Sequence, residues 1–342
     1  MKPKAVFELS WEVCNKVGGI HTVITSKVRA MQDNYEEYFL VGPYYPHNTH
    51  GVFQEIPCPD NAQSAIEALR VEGIDVHYGI WLVPGEPKTL LIDYTRFTSQ
   101  TNTIKKYLWD NHKIDTLNTQ FHDVDEPMVG SWAAGRAIEL LASALTTGQY
   151  LVHCHEWLSA GAIYYLKDKA PTVFTTHATA LGRAIASADK NLYQDLEKFN
   201  PEEEAKKHGA GLWAKFQIEK TAASTANCFT TVSGITAFEA KTLLGKEPDV
   251  ILPNGLDIGA FPRFQELLAE QRKFRERINE FLLYYFFPYQ HFDLTKTLIY
   301  FIAGRYEFRD KGIDAHIQAL GKLNNKLKEE KSDKTIVALL LI

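Results

Sequence analysis

The sequence predicts an α/β protein with a doubly wound, mainly parallel sheet. Short apolar runs typical of buried strands alternate with longer segments whose apolar residues recur at helical spacing. Polar or glycine-rich stretches follow several of these runs, as they do where parallel strands end beneath a ligand site. A second alternation begins at Thr297, which indicates a second domain of the same type.

Length and composition fit a globular chain with two domains. The 342 residues are 45% hydrophobic and 23% charged, and the net charge is −5, which argues against nucleic acid or membrane surfaces as partners. Four scattered cysteines form no disulfide framework, and the N-terminus does not resemble a signal peptide. No apolar run approaches the ~18 residues of a membrane helix. We therefore expect a cytoplasmic protein.

The first strand leads into a glycine turn. An apolar run at 5–10 predicts a strand, and helical spacing at 20–31 predicts a helix, with Lys16, Gly18 and Gly19 between them. Adjacent glycines let a ligand approach the backbone, the helix N-terminus presents free N–H groups, and Lys16 adds positive charge. The turn therefore suits a diphosphate or a sugar phosphate. A tight turn with a solvated lysine is the alternative interpretation.

The other elements of the first domain follow from apolar runs closed by proline, glycine or polar residues. Strands are predicted at 38–42, 74–81, 88–94, 150–153, 172–176, 228–232 and 250–252, the second and third forming a hairpin. Helices are predicted at 101–112, 127–147, 158–168, 191–207, 212–224 and 234–244. Gly209 and Gly211 are expected to break the helical stretch, and Ser233 is the expected cap of the last helix.

The pattern changes after the first domain. Residues 264–287 predict a charged helix with an aromatic end, before a strand at 298–303, a helix at 313–330 and a strand at 335–342. We predict a first domain at 1–260, a helical insertion at 261–296, and the start of a second domain at 297–342. The last strand ends without a turn, and one βαβ unit buries too little surface to be stable alone, so we expect a fragment.

Reactive side chains follow the carboxyl ends of several predicted strands, where open α/β sheets bind ligands. The candidates are His155 and Glu156 after one strand, His177 and Arg183 after the next, Asn254 in a turn, and Arg305 with Lys311 in the second domain. Together their imidazole, amide, guanidinium and ammonium groups suit a polyhydroxyl group beside an anionic diphosphate. A single buried histidine at a strand end more often satisfies a backbone group than takes part in chemistry.

Metal binding is a competing interpretation. His153 and His155 alternate on one face of an extended segment, but no third ligand follows at a usual spacing. Asp123 and Asp125 resemble the short acidic motif with which some sugar transferases hold a metal, although a helix cap or a solvated loop explains them better. We predict no metal site.

Long collinear blocks resemble glycogen synthases of the eukaryotic type. The blocks are FELSWEVCNKVGGI at 7–20, HEW at 155–157, FTTHATALGR at 174–183, FTTVSGITAFEA at 229–240, ILPNGL at 251–256 and FIAGRYE at 301–307. The resemblance implies the GT-B fold, in which two Rossmann-like domains face each other across a cleft, the second being incomplete in this chain. It also implies retaining transfer of glucose from UDP-glucose to the non-reducing 4-hydroxyl of an α-1,4-glucan.

The same resemblance implies a role for each candidate residue. The catalytic candidates are His177 at the donor glucose, and Arg305 and Lys311, which would neutralise the departing phosphates. The substrate-binding candidates are Lys16, Gly18 and Gly19 at the donor diphosphate, Asn254 at a glucose hydroxyl, and His155, Glu156 and Arg183. The resemblance implies no cofactor besides the donor substrate UDP-glucose, and no metal.

Two other functions remain open. One is a GT-B glycosyltransferase with another donor or acceptor, and the other is a non-catalytic protein that binds glucan or nucleotide. The expected partners are UDP-glucose and glycogen, whereas nucleic acid and membranes are not expected, and assembly into a homo-oligomer is left open. The arginine cluster that senses glucose 6-phosphate in the eukaryotic enzymes is absent, so we expect no such control from this chain.

Overall fold

The computed structural model describes residues 3–188, 192–262 and 264–342. The chain forms two compact units, one from Met1–Ile185 with Asn191–Leu256 and the other from Ala186–Lys190 with Asp257–Ile342. Asn191, where we predict a helix to begin, lies outside the described residues. No helix within the described ranges is both long enough and apolar enough to cross a membrane.

A sheet of nine strands organises the described part of the first unit. The strands are β1 (Ala5–Leu9), β2 (Glu37–Pro43), β3 (Phe53–Glu55), β4 (Asp75–Trp81), β5 (Lys88–Asp93), β6 (Tyr150–His155), β7 (Thr172–Thr176), β8 (Cys228–Thr231) and β9 (Val250–Ile251). Their order across the sheet is β3-β4-β5-β2-β1-β6-β7-β8-β9, and only the pairs that include β4 are antiparallel. The predicted mainly parallel sheet and its hairpin are therefore confirmed.

Helices connect these strands. They are α1 (Gly19–Asn34), α2 (Pro46–Thr49), α3 (Gln63–Glu72), α4 (Thr101–His112), α5 (Glu126–Leu145), α6 (Ala160–Leu166), α7 (Ala180–Ser187), α8 (Leu192–Asp195), α9 (Pro201–Lys207), α10 (Ala210–Thr225) and α11 (Gly234–Leu244). The chain leaves β1 toward β2 on one side and returns on the other side at β6. Such a reversal of strand order is where open α/β sheets bind ligands.

Both faces of the central strand β1 are buried. Phe7 stacks on Phe39 of β2 with ring centroids 4.9 Å apart. Val6, which points to the opposite face, belongs to a buried cluster with Ile24 and Val28 of α1. A parallel sheet covered on both faces needs apolar side chains at nearly every strand position, which explains the apolar runs in the sequence. Glu8 is a buried charged exception in this strand.

The second unit contains the elements predicted for it. They are α12 (Phe264–Phe286), β10 (Thr297–Ala303), α13 (Ile313–Glu329) and β11 (Thr335–Leu341). Strands β10 and β11 pair in parallel, with Thr297 opposite Thr335. The predicted βαβ unit is therefore confirmed.

Several elements differ from the prediction. Strand β3 and helices α2, α3 and α7 were not predicted, and Gly211 lies inside α10 instead of breaking a helix. Gly209 is the residue that precedes α10, with a φ of 93° that favours glycine. Helix α3 has apolar residues at helical spacing, at Ala65, Ile66 and Leu69, a signal that we missed. Helix α7 follows a polar segment and is held by carboxylates distant in sequence, which no local pattern reveals.

Candidate active site

Two histidines meet at the carboxyl ends of neighbouring strands. His155 ends β6, and His177 follows the end of β7. The two strands pair in parallel with His155 opposite Thr175, which places both imidazoles at the same edge of the sheet. Nδ1 of His155 lies 3.0 Å from Nε2 of His177. The two rings therefore form one hydrogen-bonded pair at the edge where we predicted a ligand site.

Glu8 of β1 lies behind this pair. Its Oε1 atom is 2.6 Å from Nε2 of His155 and 2.5 Å from the ammonium of Lys27. Its Oε2 atom accepts a hydrogen bond of 2.6 Å from the hydroxyl of Tyr38. Burial would raise the pKa of Glu8, but the Lys27 ammonium and the His155 hydrogen bond outweigh burial and hold this pKa well below its usual value. The buried carboxylate is therefore ionised and fully partnered.

The histidines of this cluster are neutral at physiological pH. Burial lowers the pKa of His153, His155 and His177, because the charged imidazolium loses its hydration. For His177, burial and the neighbouring His155 bring the pKa to about 3. Each ring therefore carries one proton, and its other nitrogen is free to accept a hydrogen bond.

Glu156 positions the backbone of His177. Its Oε1 atom accepts a hydrogen bond of 3.0 Å from the His177 N–H and lies 3.4 Å from Nη2 of Arg183. The backbone of Glu156 has a φ of 62°, a left-handed conformation that costs energy for a residue with a side chain. Burial raises the pKa of Glu156, and the charge of Arg183 opposes the shift. Glu156 thus contacts the segment that carries His177, and Arg183 contacts Glu156.

Two further buried carboxyl groups hold the segment between β7 and α7. Glu219 of α10 accepts hydrogen bonds from the Thr176 hydroxyl at 2.9 Å and from the Ala180 N–H at 2.8 Å. Glu239 of α11 accepts from the N–H and the hydroxyl of Thr179, at 2.9 and 2.6 Å. Sequence reasoning missed both residues. The available signal was an acidic residue within the mainly apolar part of each predicted helix.

The glycine turn before α1 has an internal partner that we did not predict. Oε2 of Glu12 accepts hydrogen bonds from the N–H groups of Gly18 and His21, at 2.8 and 2.9 Å. A Cβ on Gly18 would lie 2.9 Å from Oε1 of Glu12, whereas a Cβ on Gly19 would meet nothing within 4 Å. Lys16 is exposed. A carboxylate of the protein therefore binds part of the helix N-terminus, and the side at Gly19 is open.

The cationic candidates of the second unit share one carboxylate. Nη2 of Arg305 lies 2.9 Å from Oε1 of Glu307, and Nζ of Lys311 lies 3.7 Å from its Oε2. Both cationic side chains are nearly half exposed, at 49% and 44%. Glu307, which sequence reasoning missed, holds the two cations close together while leaving one net positive charge. Asn254 is exposed in the segment after β9 of the first unit.

Glu8 adds the third side chain that the metal interpretation lacked. Ligand atoms of Glu8, His153 and His155 lie within 4.8 Å of one another. The donor set does not suit a cation, because the Lys27 ammonium and the Tyr38 hydroxyl already bind the carboxylate. His153 is bound elsewhere, with Nε2 2.7 Å from the Thr175 hydroxyl.

The acidic motif is also paired with lysines. Asp123 contacts the ammonium of Lys215, and Asp125 lies 2.9 Å from Nζ of Lys105. Asp125 is buried and stands at the N-cap position of α5 without a capping hydrogen bond from its side chain, so it fits neither the solvated loop nor the side-chain helix cap that we predicted. Its carboxylate also accepts a hydrogen bond of 2.8 Å from Thr119. The motif therefore serves as two ion pairs within the protein.

Comparison with a solved structure defines the fold class. The chain is similar to the catalytic domain of Starch Synthase IV from Arabidopsis thaliana, a structure described as bound to ADP and acarbose. The TM-score is 0.57 at 15% sequence identity, and the match covers 99% of this chain and 69% of that chain. At this identity the likeness shows the fold alone, and it confirms the predicted α/β fold of the GT-B glycosyltransferase class.

Sequence comparison identifies the family. The family model described as "Glycogen synthase" matches residues 8–342, so the chain belongs to the glycogen synthase family. It is 37% identical to the liver glycogen [starch] synthase of Homo sapiens, over 98% of this chain and 48% of that protein. It is 33% identical to the glycogen [starch] synthase of Neurospora crassa, over 100% of this chain and 49% of that protein. The chain thus spans about half the length of these curated relatives.

Proposed function

We propose that the protein is a glycogen synthase, which transfers glucose from UDP-glucose to the non-reducing 4-hydroxyl of an α-1,4-glucan with retention of configuration. The observation that carries this proposal is the family match over residues 8–342. The curated relatives from human and Neurospora carry the name glycogen [starch] synthase. The net charge of −5 argues against nucleic acid and membranes as partners, and the four free cysteines fit a reducing cytoplasm.

The proposed chemistry needs positive groups at the leaving diphosphate. Breaking the bond between sugar and phosphate places positive charge on the sugar and negative charge on the diphosphate. Arg305 and Lys311, which Glu307 holds together, are the proposed stabilisers of the diphosphate charge. Lys16 and the open side of Gly19 are proposed to form a loop that meets the donor diphosphate. The proposal includes neither a cofactor nor a metal.

The sugar side of the reaction is assigned to the histidine pair. His177 is neutral, so it can contact a sugar that gains positive charge without repelling it. Its backbone N–H is held by Glu156, which fixes the position of the ring. Asn254 is proposed to bind a second hydroxyl of the same glucose.

Transfer of labelled glucose to glycogen tests this function. The product of the complete gene is incubated with glycogen and either UDP-glucose or ADP-glucose, each labelled in the glucose. We expect label in the glucan from UDP-glucose, released again by an enzyme that cleaves α-1,4 linkages. Faster transfer from ADP-glucose would show that ADP-glucose, and not UDP-glucose, is the preferred donor. Absence of transfer from both would favour a binding protein without this activity.

A further inference from the structure

Glu8 and His155 are placed to control the protonation of His177. The geometry points to a relay in which they act as positioning residues, holding the His177 proton on Nε2 and leaving Nδ1 to accept a hydrogen bond from a hydroxyl of the substrate sugar. The ligand in this inference rests on the proposed function, whereas the placement of the proton depends only on the contacts between these three residues.

The relay begins at the carboxylate of Glu8, which can only accept hydrogen bonds. Oε2 accepts from the Tyr38 hydroxyl at 2.6 Å, and Oε1 contacts the Lys27 ammonium at 2.5 Å. The other contact of Oε1 is Nε2 of His155 at 2.6 Å. Because an ionised carboxylate has no proton to give, Nε2 of His155 must be the donor in this hydrogen bond.

The proton position on His155 in turn determines the proton position on His177. A neutral imidazole has one proton, so a proton on Nε2 of His155 leaves its Nδ1 atom as an acceptor. That Nδ1 atom lies 3.0 Å from Nε2 of His177, which must then be the donor. His177 is neutral as well, and its Nδ1 atom therefore carries a lone pair.

Burial and neighbouring contacts keep the protons of these rings in this arrangement. His155 is 2% exposed and Glu8 is fully buried, so water does not compete for their contact. His153, the neighbouring ring, is turned to the Thr175 hydroxyl, with 2.7 Å between Nε2 and Oγ1. Protonating two adjacent buried imidazoles would place like charges together beside Lys27, which is costly in a poorly solvated site.

The exposed end of the relay suits a hydroxyl donor. No described residue forms a hydrogen bond with Nδ1 of His177, and this residue is only partly buried. A lone pair at this position binds the proton of a sugar hydroxyl and does not repel positive charge on the sugar. An N–H at the same position would repel that charge. The relay therefore selects the tautomer that the proposed reaction needs.

Nitrogen NMR of the histidine rings tests the relay without substrate. The 342-residue chain is labelled with ¹⁵N-histidine, and the His177 signals are assigned as those lost in His177→Asn. We expect long-range ¹H–¹⁵N spectra to show a protonated Nε2 and an unprotonated Nδ1 for His177 at neutral pH. A protonated Nδ1 in the parent chain would overturn the inference, and this result requires no other variant to fold.

A matched pair of variants tests whether Glu8 determines the tautomer of His177. The double variant Glu8→Leu with Lys27→Met removes the ion pair as a unit, because an unpaired buried charge would destabilise the fold. We expect it to give a mixture of His177 tautomers. Tyr38→Phe removes a different contact of the same carboxylate and should leave the tautomer unchanged. An unchanged tautomer in the double variant would contradict the relay.

Kinetics of the complete gene product then tests the role of the tautomer. We expect the double variant to lower kcat by about two- to tenfold, because only the fraction of His177 in the competent tautomer stays active, with a much smaller change in KM for UDP-glucose. If no variant or parent transfers glucose, the proposed function fails while the NMR result stands. If transfer is normal in a double variant with mixed tautomers, the catalytic part of the inference is wrong.

Discussion

The carboxylate of Glu12 accepts a hydrogen bond of 2.8 Å from the backbone N–H of Gly18, directly before α1. The same carboxylate accepts from the His21 N–H, so it caps the helix from a position outside it. The glycine turn therefore has two distinct faces. Gly18 is packed against Glu12, and Gly19 faces open space.

Alanine substitutions at Gly18 and Gly19 should have different effects, the first on stability and the second on ligand affinity. We expect Gly18→Ala to destabilise the chain by about 1 kcal/mol, because its methyl group displaces the Glu12 cap. Gly19→Ala should leave stability unchanged or raise it by up to about 1 kcal/mol, since alanine restricts the unfolded chain. Urea unfolding measures both changes.

Binding of UDP completes this comparison. If the diphosphate approaches the open face, Gly19→Ala should weaken UDP binding by about tenfold, a loss of roughly 1.4 kcal/mol. Calorimetry on the complete gene product measures this affinity. Equal UDP affinity in Gly19→Ala and the parent would place the diphosphate elsewhere.

The contribution of Glu219 to the free energy of unfolding should fall as the pH rises. Burial, and secondly the charge of Glu156, raises the pKa of Glu219 to about 8 from an ordinary value of 4.5. The folded state therefore holds this proton more tightly than the unfolded state does. The contribution of Glu219 to stability is fully present below pH 4.5 and is lost as the pH rises to about 8.

Glu219→Gln should remove this part of the pH dependence. Urea unfolding between pH 5 and pH 9 should show a flatter stability profile for the variant than for the parent. Glu247→Gln is the matched control, because the Glu247 side chain is 69% exposed and no large change is expected there. Parallel profiles for Glu219→Gln and the parent would show that Glu219 is ionised throughout.

His177 should act as a neutral group. Its pKa of about 3 predicts no titration of this ring between pH 5 and pH 8, which NMR can follow directly. His177→Ala should lower kcat by about 10²-fold, as when one group that stabilises a transition state is lost, without preventing UDP binding. His177→Asn, whose amide can replace Nδ1 as an acceptor, should recover part of this loss. Loss of UDP binding alone would contradict a role on the sugar side.

Arg305→Ala should lower kcat by about 10²–10³-fold, the effect of removing one stabiliser of transition-state charge. The expected partner is the leaving diphosphate, which gains negative charge as the bond breaks. Lys296→Ala is the matched control, since it removes another exposed cation of the second unit, paired with Asp333. Unchanged kcat with weaker glucan binding would assign Arg305 to the acceptor.

Glucose transfer should persist in excess chelator. The cationic set at Arg305 and Lys311 can replace a metal at the diphosphate. The carboxylates of Asp123 and Asp125 are already paired with the ammonium groups of Lys215 and Lys105. The assay is run with EDTA and then with added Mn²⁺. Activity that disappears with EDTA and returns with manganese would show that Asp123 and Asp125 need to be tested as metal ligands.

Local patterns were sufficient for most of the fold. Strand β7 and helices α4 and α11 have the predicted bounds, and Ser233 caps α11 through a hydrogen bond from the Thr236 N–H. These features depend on residues close together in the chain. Apolar spacing, a capping hydroxyl and turn residues therefore identify them without tertiary information.

The sequence by itself determined the family, most of the order of strands and helices, and the residues that follow the carboxyl ends of the predicted strands. Only the tertiary structure decided which distant side chains orient those residues. Glu8 and His155 are 147 positions apart, yet their atoms are 2.6 Å apart because β1 and β6 are neighbours in the sheet. Burial then gives this contact its strength, since water cannot replace the carboxylate as the partner of His155.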